Sequence, residues 1–241
     1  MSPERAASRR EAITIPFAGI HVDSLSGLWD LPTGHAACDR VVLLAHGAGV
    51  PMEAPLLEMV ALLLAGAGVP VLRFLYPYTE RARREDRRLP PDRMPALLEA
   101  HRAAAGVLRE RFPTARWIFG GKSMGGRMAS LLAAEDDALH ALFFLGYPLH
   151  PAGKPERLRS EHFAAIELPA LFLQGTRDAL CELPLLHREL ELWGGPVSVH
   201  EVEGADHGFD VRKKDGRTPE EVTRELQDAL LGWLDQALPT S

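Results

Sequence analysis

From residue 41 onward, short apolar runs alternate with longer stretches of helical periodicity, and this rhythm constrains the fold more than any other feature of the chain. The runs are Val41–Ala45, Val71–Leu75, Trp117–Phe119, Ala141–Leu145, Ala170–Gln174 and Val197–Val202. They are near-continuous apolar blocks rather than period-two alternations, as expected of strands covered on both faces. Between them, helical patterns run over Pro55–Ala65, Pro95–Phe112, Met124–Ala134 and Leu185–Leu192. Strand followed by helix, repeated, argues for an α/β fold with a parallel sheet and right-handed crossovers. Ahead of that rhythm, Ala12–Phe17 and Gly27–Leu31 read as an antiparallel pair laid on one edge. At the other end, Thr218-Pro219-Glu220-Glu221 is a capping box with proline at the first helical position. Val222, Leu226, Leu230 and Trp233 follow at helical spacing as one buried stripe.

A chain of 241 residues suits one domain, and at that size about 70% of the unfolded surface is buried. The reading is a flexible N-terminus over residues 1–11 and a single α/β domain over 12–241. Lys and Arg total 27 against 33 Asp and Glu, a net charge of −6. That balance argues against a nucleic-acid partner, which calls for a basic face. Cys38 and Cys181 make neither a disulfide framework nor a Cys/His zinc site, so no metal and no organic cofactor is expected. The opening residues MSPERAASRREAI carry charge but no apolar signal core. The longest uncharged apolar stretch, Met59–Leu72, is too short to span a bilayer. The expectation is a cytoplasmic protein with no membrane span, whose 46% hydrophobic content could leave an apolar edge for a homodimer.

Gly121-Lys122-Ser123-Met124-Gly125 is a Gly-x-Ser-x-Gly segment between a buried strand and an amphipathic helix. In that context it reads as a nucleophile elbow. The turn leaves no room for side chains two residues either side of the serine, and its strain holds the hydroxyl clear of the sheet. The segment is not a phosphate-binding Walker loop, because the spacing before Lys122 is wrong.

A serine hydroxyl needs a base, and the base needs an orienting acid. In the chain order Ser, Asp, His, Asp178 follows the strand Ala170–Gln174 and His207 follows Val197–Val202. Asp206, Asp210 and Glu203 adjoin His207 too closely in sequence to orient its ring. His21, His35, His140, His162, His187 and His200 carry no motif, and His101 reads as a packing residue inside a helix. His46-Gly47-Ala48-Gly49 follows the strand Val41–Ala45 as an oxyanion loop would, which makes the amides of Ala48 and Met124 the expected oxyanion donors. His46, Gly49, Tyr76 and His150 are the candidate substrate contacts.

The segments HGAG (46–49), RFLYPY (73–78), GGKSMGGR (120–127), YPLHPAGKP (147–155), QGTRD (174–178) and GADH (204–207) make the resemblance explicit. From about Ala12 to Leu238 the chain resembles the α/β-hydrolase superfamily, and within it the small dienelactone-hydrolase-like group of predicted serine hydrolases. That group also includes testis-expressed proteins and a subunit of a chromatin-acetylation complex. The resemblance implies an eight-stranded, mostly parallel sheet and the triad Ser123, Asp178, His207. True dienelactone hydrolases carry a cysteine where this chain has Ser123.

The function expected is a serine esterase or thioesterase acting on a small-molecule acyl substrate. The alternatives are a non-enzymatic interaction subunit that keeps the fold, or an acyltransferase or peptidase using the same triad. Only Pro148 to Leu168 separates the sixth and seventh strands, so no large lid domain is expected. The run Glu80–Arg93, six arginines among four acids, reads as a solvated loop or helix edge. Arg83, Arg84 or Arg87 turned inward would offer an anion site, whereas Arg73 and Arg127 read as buried paired arginines.

Overall fold

Each apolar run of the sequence is a strand. The computed structural model describes residues 8–19, 21–34, 38–136 and 138–240. The strands are β1 (Ser8–Pro16), β2 (Ser24–Pro32), β3 (Arg40–Ala45), β4 (Val71–Phe74), β5 (Arg116–Lys122), β6 (Ala141–Leu145), β7 (Ala170–Gly175) and β8 (Val197–Val202). Hydrogen bonds order them β1-β2-β4-β3-β5-β6-β7-β8 in one eight-stranded sheet, mostly parallel. The helices are α1 (Pro55–Gly66), α2 (Pro77–Arg84), α3 (Met94–Arg111), α4 (Met124–Ala133), α5 (Leu183–Leu190) and α6 (Pro219–Ala237). Inside β5 the chain divides into two compact units, Met1–Gly120 and Gly121–Ser241.

In the first unit β1 pairs antiparallel with β2, β2 antiparallel with β4, and β4 parallel with β3. β1 starts at Ser8, four residues before the apolar pattern begins, because cross-strand charge extends the pairing. Arg10 Nε donates to Asp30 Oδ1 across that register at 3.0 Å. Asp30 is buried beneath Arg73, whose Nε donates to its Oδ2 at 2.8 Å and whose Nη1 donates to the Met52 carbonyl at 2.7 Å. The expectation of a buried, paired Arg73 is met. Every residue of β3 and β4 is buried, and α1 and α3 both pack on this part of the sheet. Proline stands in the first turn of each helix here, where its missing N–H leaves no bond unmade.

α2 was not legible as a helix. Beyond Tyr78 it buries no apolar side chain, so it leaves no hydrophobic stripe in the sequence. Pro77 at its start, basic residues in its last turn and the 2.7 Å Arg81–Asp92 ion pair hold it instead. Arg83, Arg84 and Arg87 are exposed, with Arg83 on Glu53 and Arg87 on Glu85, so they point to solvent as a charged run does.

In the second unit β6, β7 and β8 run parallel. β6 and β7 are buried throughout, while β8 is half exposed as an edge strand. Phe144, Tyr147, Phe163, Phe172 and Trp193 form one cluster of mostly edge-to-face contacts, with the Phe144 and Phe172 rings tilted and their centroids 4.5 Å apart. The capping box of α6 forms as read, with Thr218 Oγ1 accepting from Glu221 N and Glu221 reaching back to Thr218 N. α5 begins two residues earlier than the periodicity suggests, because Pro184 sets its first turn. Between β6 and β7 there is one short 3-10 turn, Phe163–Ala165, and no lid domain.

Candidate active site

The strand β5 ends at Lys122 and the helix α4 begins at Met124, so Ser123 alone makes the turn. Its backbone is left-handed, at φ 51° and ψ −115°, a region that L side chains rarely occupy. Two contacts hold it there: Ser123 N donates to the Leu145 carbonyl at the end of β6, and its own carbonyl accepts from Arg127 N. A side chain at Gly121 would put a Cβ 2.5 Å from the backbone of Gly125 and Gly126, so only glycine permits this closeness of strand and helix. Met124 is the first residue of α4, and its amide is among the four helix-start donors that have no acceptor within the helix.

Ser123 Oγ lies 2.8 Å from His207 Nε2. On the other side of the ring, His207 Nδ1 lies 2.6 Å from Asp178 Oδ2. The Asp178 side chain is fully buried, and the ring is about a quarter exposed, at 27%. Asp178 Oδ1 accepts from Leu180 N at 2.8 Å, and Oδ2 also accepts from Gln174 Nε2 at 2.6 Å. A carboxylate oxygen only accepts, so it can take each of these bonds. An ionised Asp178 makes Nδ1 the protonated nitrogen of the ring and leaves Nε2 as an acceptor for the serine hydroxyl. The loop bearing His207 is a tight turn closed by Asp206, whose Oδ1 accepts from Gly208 N and Asp210 N. Asp206 therefore shapes the loop and does not orient the ring.

These distances describe a serine, an imidazole and a carboxylate in register in the segments that follow β5, β8 and β7, and residues 38–235 match the alpha/beta hydrolase domain family. The chain belongs to that family. Solved structures share the fold of this hydrolase. A dienelactone hydrolase from Anabaena variabilis is 21% identical, covers 95% of this chain and 98% of its own, and superposes with a TM-score of 0.71. Est1E from Butyrivibrio proteoclasticus is 18% identical over 92% and 98%, at 0.70. An α/β serine hydrolase without lid from Xanthomonas campestris is 20% identical over 96% of both chains, at 0.67. At these identities the likeness is one of fold.

Three of the four expected substrate contacts are committed inside the hydrolase. His150 is buried with both ring nitrogens used: Nδ1 is 3.1 Å from the Pro151 carbonyl, and Nε2 accepts from Glu182 N at 3.0 Å. It fastens a loop and has no free atom for a substrate. His46 is fully buried, with Nδ1 2.8 Å from the Gly47 carbonyl and Nε2 accepting from Tyr76 N at 3.1 Å. Burial pushes its pKa down to about 4, so it is a neutral brace between the loops after β3 and β4. Tyr76 is fully buried as well, its hydroxyl 3.2 Å from His101 Nδ1. Ala48 and Gly49 remain exposed, Gly49 at φ 76° with its amide donating to the Tyr78 hydroxyl.

Of the remaining histidines, His101 packs against Phe119 and Phe74 as expected of a core residue. His162 bonds Ser130, His187 bonds Glu201 and His200 bonds Glu225. His35 lies outside the described residues, as do residues 1–7 of the expected flexible N-terminus. The expected pairing of Arg127 is not found: among the described residues its guanidinium has no hydrogen-bond acceptor or ion-pair partner. Cys181 is buried, and burial pushes its thiol well up, out of reach of nucleophilic use. Among the described residues no three His, Cys, Asp or Glu side chains gather as a metal centre requires, and no helix is long and apolar enough to cross a membrane.

Two residues of the site were not singled out from the sequence, although both lie in the family-like segments QGTRD and GGKSMGGR. Gln174 looks like any polar strand end, and Lys122 occupies the variable position of Gly-x-Ser-x-Gly. Their contacts make them part of it. Gln174 bridges Tyr147 N and Asp178, and Lys122 Nζ donates to the main-chain carbonyl of His207.

Proposed function

We propose that this chain is a serine hydrolase that cleaves a small or medium carboxylic ester or thioester through an acyl-enzyme. The observation that carries the reading is the unbroken hydrogen-bond chain Ser123 Oγ–His207 Nε2–His207 Nδ1–Asp178 Oδ2, at 2.8 and 2.6 Å, on a serine with a left-handed backbone.

Ser123 Oγ attacks the acyl carbon as its proton passes to His207 Nε2. Asp178 keeps the ring in the tautomer that accepts there and stabilises the imidazolium that forms. The carbonyl oxygen becomes an oxyanion for which the Met124 amide, at the positive end of α4, is one donor. The Ala48 amide, in the glycine-flanked loop after β3, is proposed as the second on its place in the sequence. Collapse breaks the bond to the leaving alkoxide or thiolate, which takes the proton from Nε2. Water then repeats the sequence on the acyl-serine, giving up its proton to Nε2 and releasing the acid. The absence of a lid domain between β6 and β7 suits substrates free in solution rather than an aggregated lipid surface.

The test is intact mass after a fluorophosphonate probe. One adduct on the wild type, mapped to Ser123 and lost in Ser123→Ala and His207→Ala, is the expected result. No adduct on folded wild-type protein, or an adduct that persists in Ser123→Ala, overturns the reading.

A further inference from the structure

Lys122 sits beside the serine in sequence, but its side chain is directed to the loop that bears the histidine. Nζ donates to the carbonyl of His207 itself and lies 5.5 Å from the centroid of the Phe209 ring. Phe209 is itself left-handed, at φ 68°, so this loop holds a conformation that needs outside support. Opposite, Gly146 follows β6 at φ 65°, and a Cβ there would stand 2.8 Å from Lys122 Nζ and 3.4 Å from His207 Nδ1. The ammonium is thus enclosed by the three segments that follow β5, β6 and β8. Among the described residues it has no carboxylate within ion-pair distance and its one hydrogen bond is to the His207 carbonyl.

The charged and titratable groups around it are few. Asp178, after β7, and Asp206, in the histidine loop, act on it electrostatically from beyond contact. Tyr147, after Gly146, has its hydroxyl turned to Ser130 and the Arg159 carbonyl. His207 itself is bonded on its ring to Asp178 and Ser123.

We propose that Lys122 is a positioning residue, whose protonated ammonium ties the main chain of His207 to the nucleophile strand and keeps Nε2 in line with Ser123 Oγ. The inference rests on the proposed triad and adds a fourth side chain to it. A hydrogen bond from an ammonium is roughly twice as strong as one from a neutral donor. Deprotonation therefore loosens the histidine loop without touching the ring. Burial pushes the Lys122 pKa down to about 8, against the pull of Asp178 and Asp206. Loss of the Lys122 proton then lowers activity on the alkaline side.

The experiment measures the second-order rate of fluorophosphonate labelling of Ser123 against pH in wild type, Lys122→Met and Lys122→Arg. It is paired with the imidazole N–H resonance of His207 in the proton NMR spectrum. Wild type is expected to label more slowly above a midpoint of about 8. Lys122→Met is expected to label about ten to a hundredfold more slowly near neutrality, as a displacement of order 1 Å in a reacting group would cause. It should also lack the alkaline limb and show a shifted or broadened Nδ1–H resonance. Lys122→Arg, which keeps the cation without titrating, should recover most of the rate and extend it to higher pH. A folded Lys122→Met protein with the wild-type rate, pH profile and resonance overturns the proposal. Should wild type fail to label while its resonance still shifts in Lys122→Met, the serine-hydrolase reading falls and the positioning role of Lys122 stands.

Discussion

Gln174 Nε2 stands 2.6 Å from Asp178 Oδ2, the same carboxylate oxygen that faces the His207 ring at 2.6 Å. The amide is fully buried, and its other end, Oε1, accepts from Tyr147 N at 2.8 Å. One side chain therefore fixes the carboxylate from below and ties it to the chain leaving β6. This is a supporting contact of the kind that decides whether a site is held to within a fraction of an ångström.

Gln174→Glu keeps the shape and replaces the donor by a second carboxyl group. Two carboxyls at that distance share a proton, and the shared proton competes with the imidazole for Asp178. Labelling of Ser123 by a fluorophosphonate should fall at least about tenfold in the variant, at neutral pH and with the fold intact by circular dichroism. Gln174→Leu removes the acceptor too and leaves the buried Tyr147 N–H unpaired, at a cost of about 1–3 kcal/mol in urea unfolding. Wild-type labelling in a folded Gln174→Glu protein would show that Asp178 needs no such support.

Gly146→Ala probes the enclosure around Lys122 from its other side. An alanine at φ 65° is strained by about 1–2 kcal/mol. Its methyl would also stand 2.8 Å from Lys122 Nζ, so the lysine must move. The variant should lose modest stability and a larger share of its activity, with kcat reduced about tenfold or more while KM changes little. Equal activity per folded molecule would mean that the site tolerates the displaced lysine.

His150→Ala separates a loop fastener from a substrate contact. The two nitrogens of His150 serve the Pro151 carbonyl and Glu182 N, so truncation leaves buried groups unpaired and should lower stability by about 1–3 kcal/mol. KM for whichever substrate the enzyme hydrolyses should stay within about twofold, since no uniform binding is removed. A large rise in KM at unchanged stability would return His150 to the binding site.

The sequence carries most of the frame and the three residues of the proposed triad, and its blind spots share a physical origin. β3, β6 and β7 are buried on both faces, so apolar runs mark them to within a residue or two. The order of Ser123, Asp178 and His207 after β5, β7 and β8 is enough to bring them to one edge. β1 and α2 are missed or clipped because charge holds them: Arg10 on Asp30, Arg111 on Glu11, Arg81 on Asp92. Charge pairs at long separation leave no period in the sequence. His46, Tyr76 and His150 lie within family-like segments, yet their side chains turn inward to bond neighbouring backbone and core groups. Which way a loop side chain turns is decided by the packing around it. The roles of Gln174 and Lys122 are hidden for the same reason: packing turns Gln174 to Asp178 and Tyr147, and turns Lys122 to the His207 carbonyl 85 residues on.

Two buried histidines of the first unit make stability depend on pH, apart from any chemistry. His46 and His101 are both fully buried, and burial pushes their pKa values from the ordinary 6.5 down to about 4 and about 3. Below the ordinary value, the unfolded chain binds a proton at each ring while the folded protein does not. Stability is thus fully present above about 6.5 and falls with acid, by about 1.4 kcal/mol per pH unit for each ring. The fall from His46 ends near pH 4 and that from His101 nearer pH 3. Urea unfolding at several pH values between 6.5 and 4 should show this slope in Ser123→Ala protein as clearly as in wild type. His101→Asn removes one titrating ring but keeps a polar atom near the Tyr76 hydroxyl, which lies 3.2 Å from Nδ1. Whatever it does to stability at neutral pH, it should flatten the acid slope by about 1.4 kcal/mol per pH unit. An unchanged slope would mean that His101 takes up its proton in the folded state as readily as in the unfolded one, and that its burial does not keep it neutral.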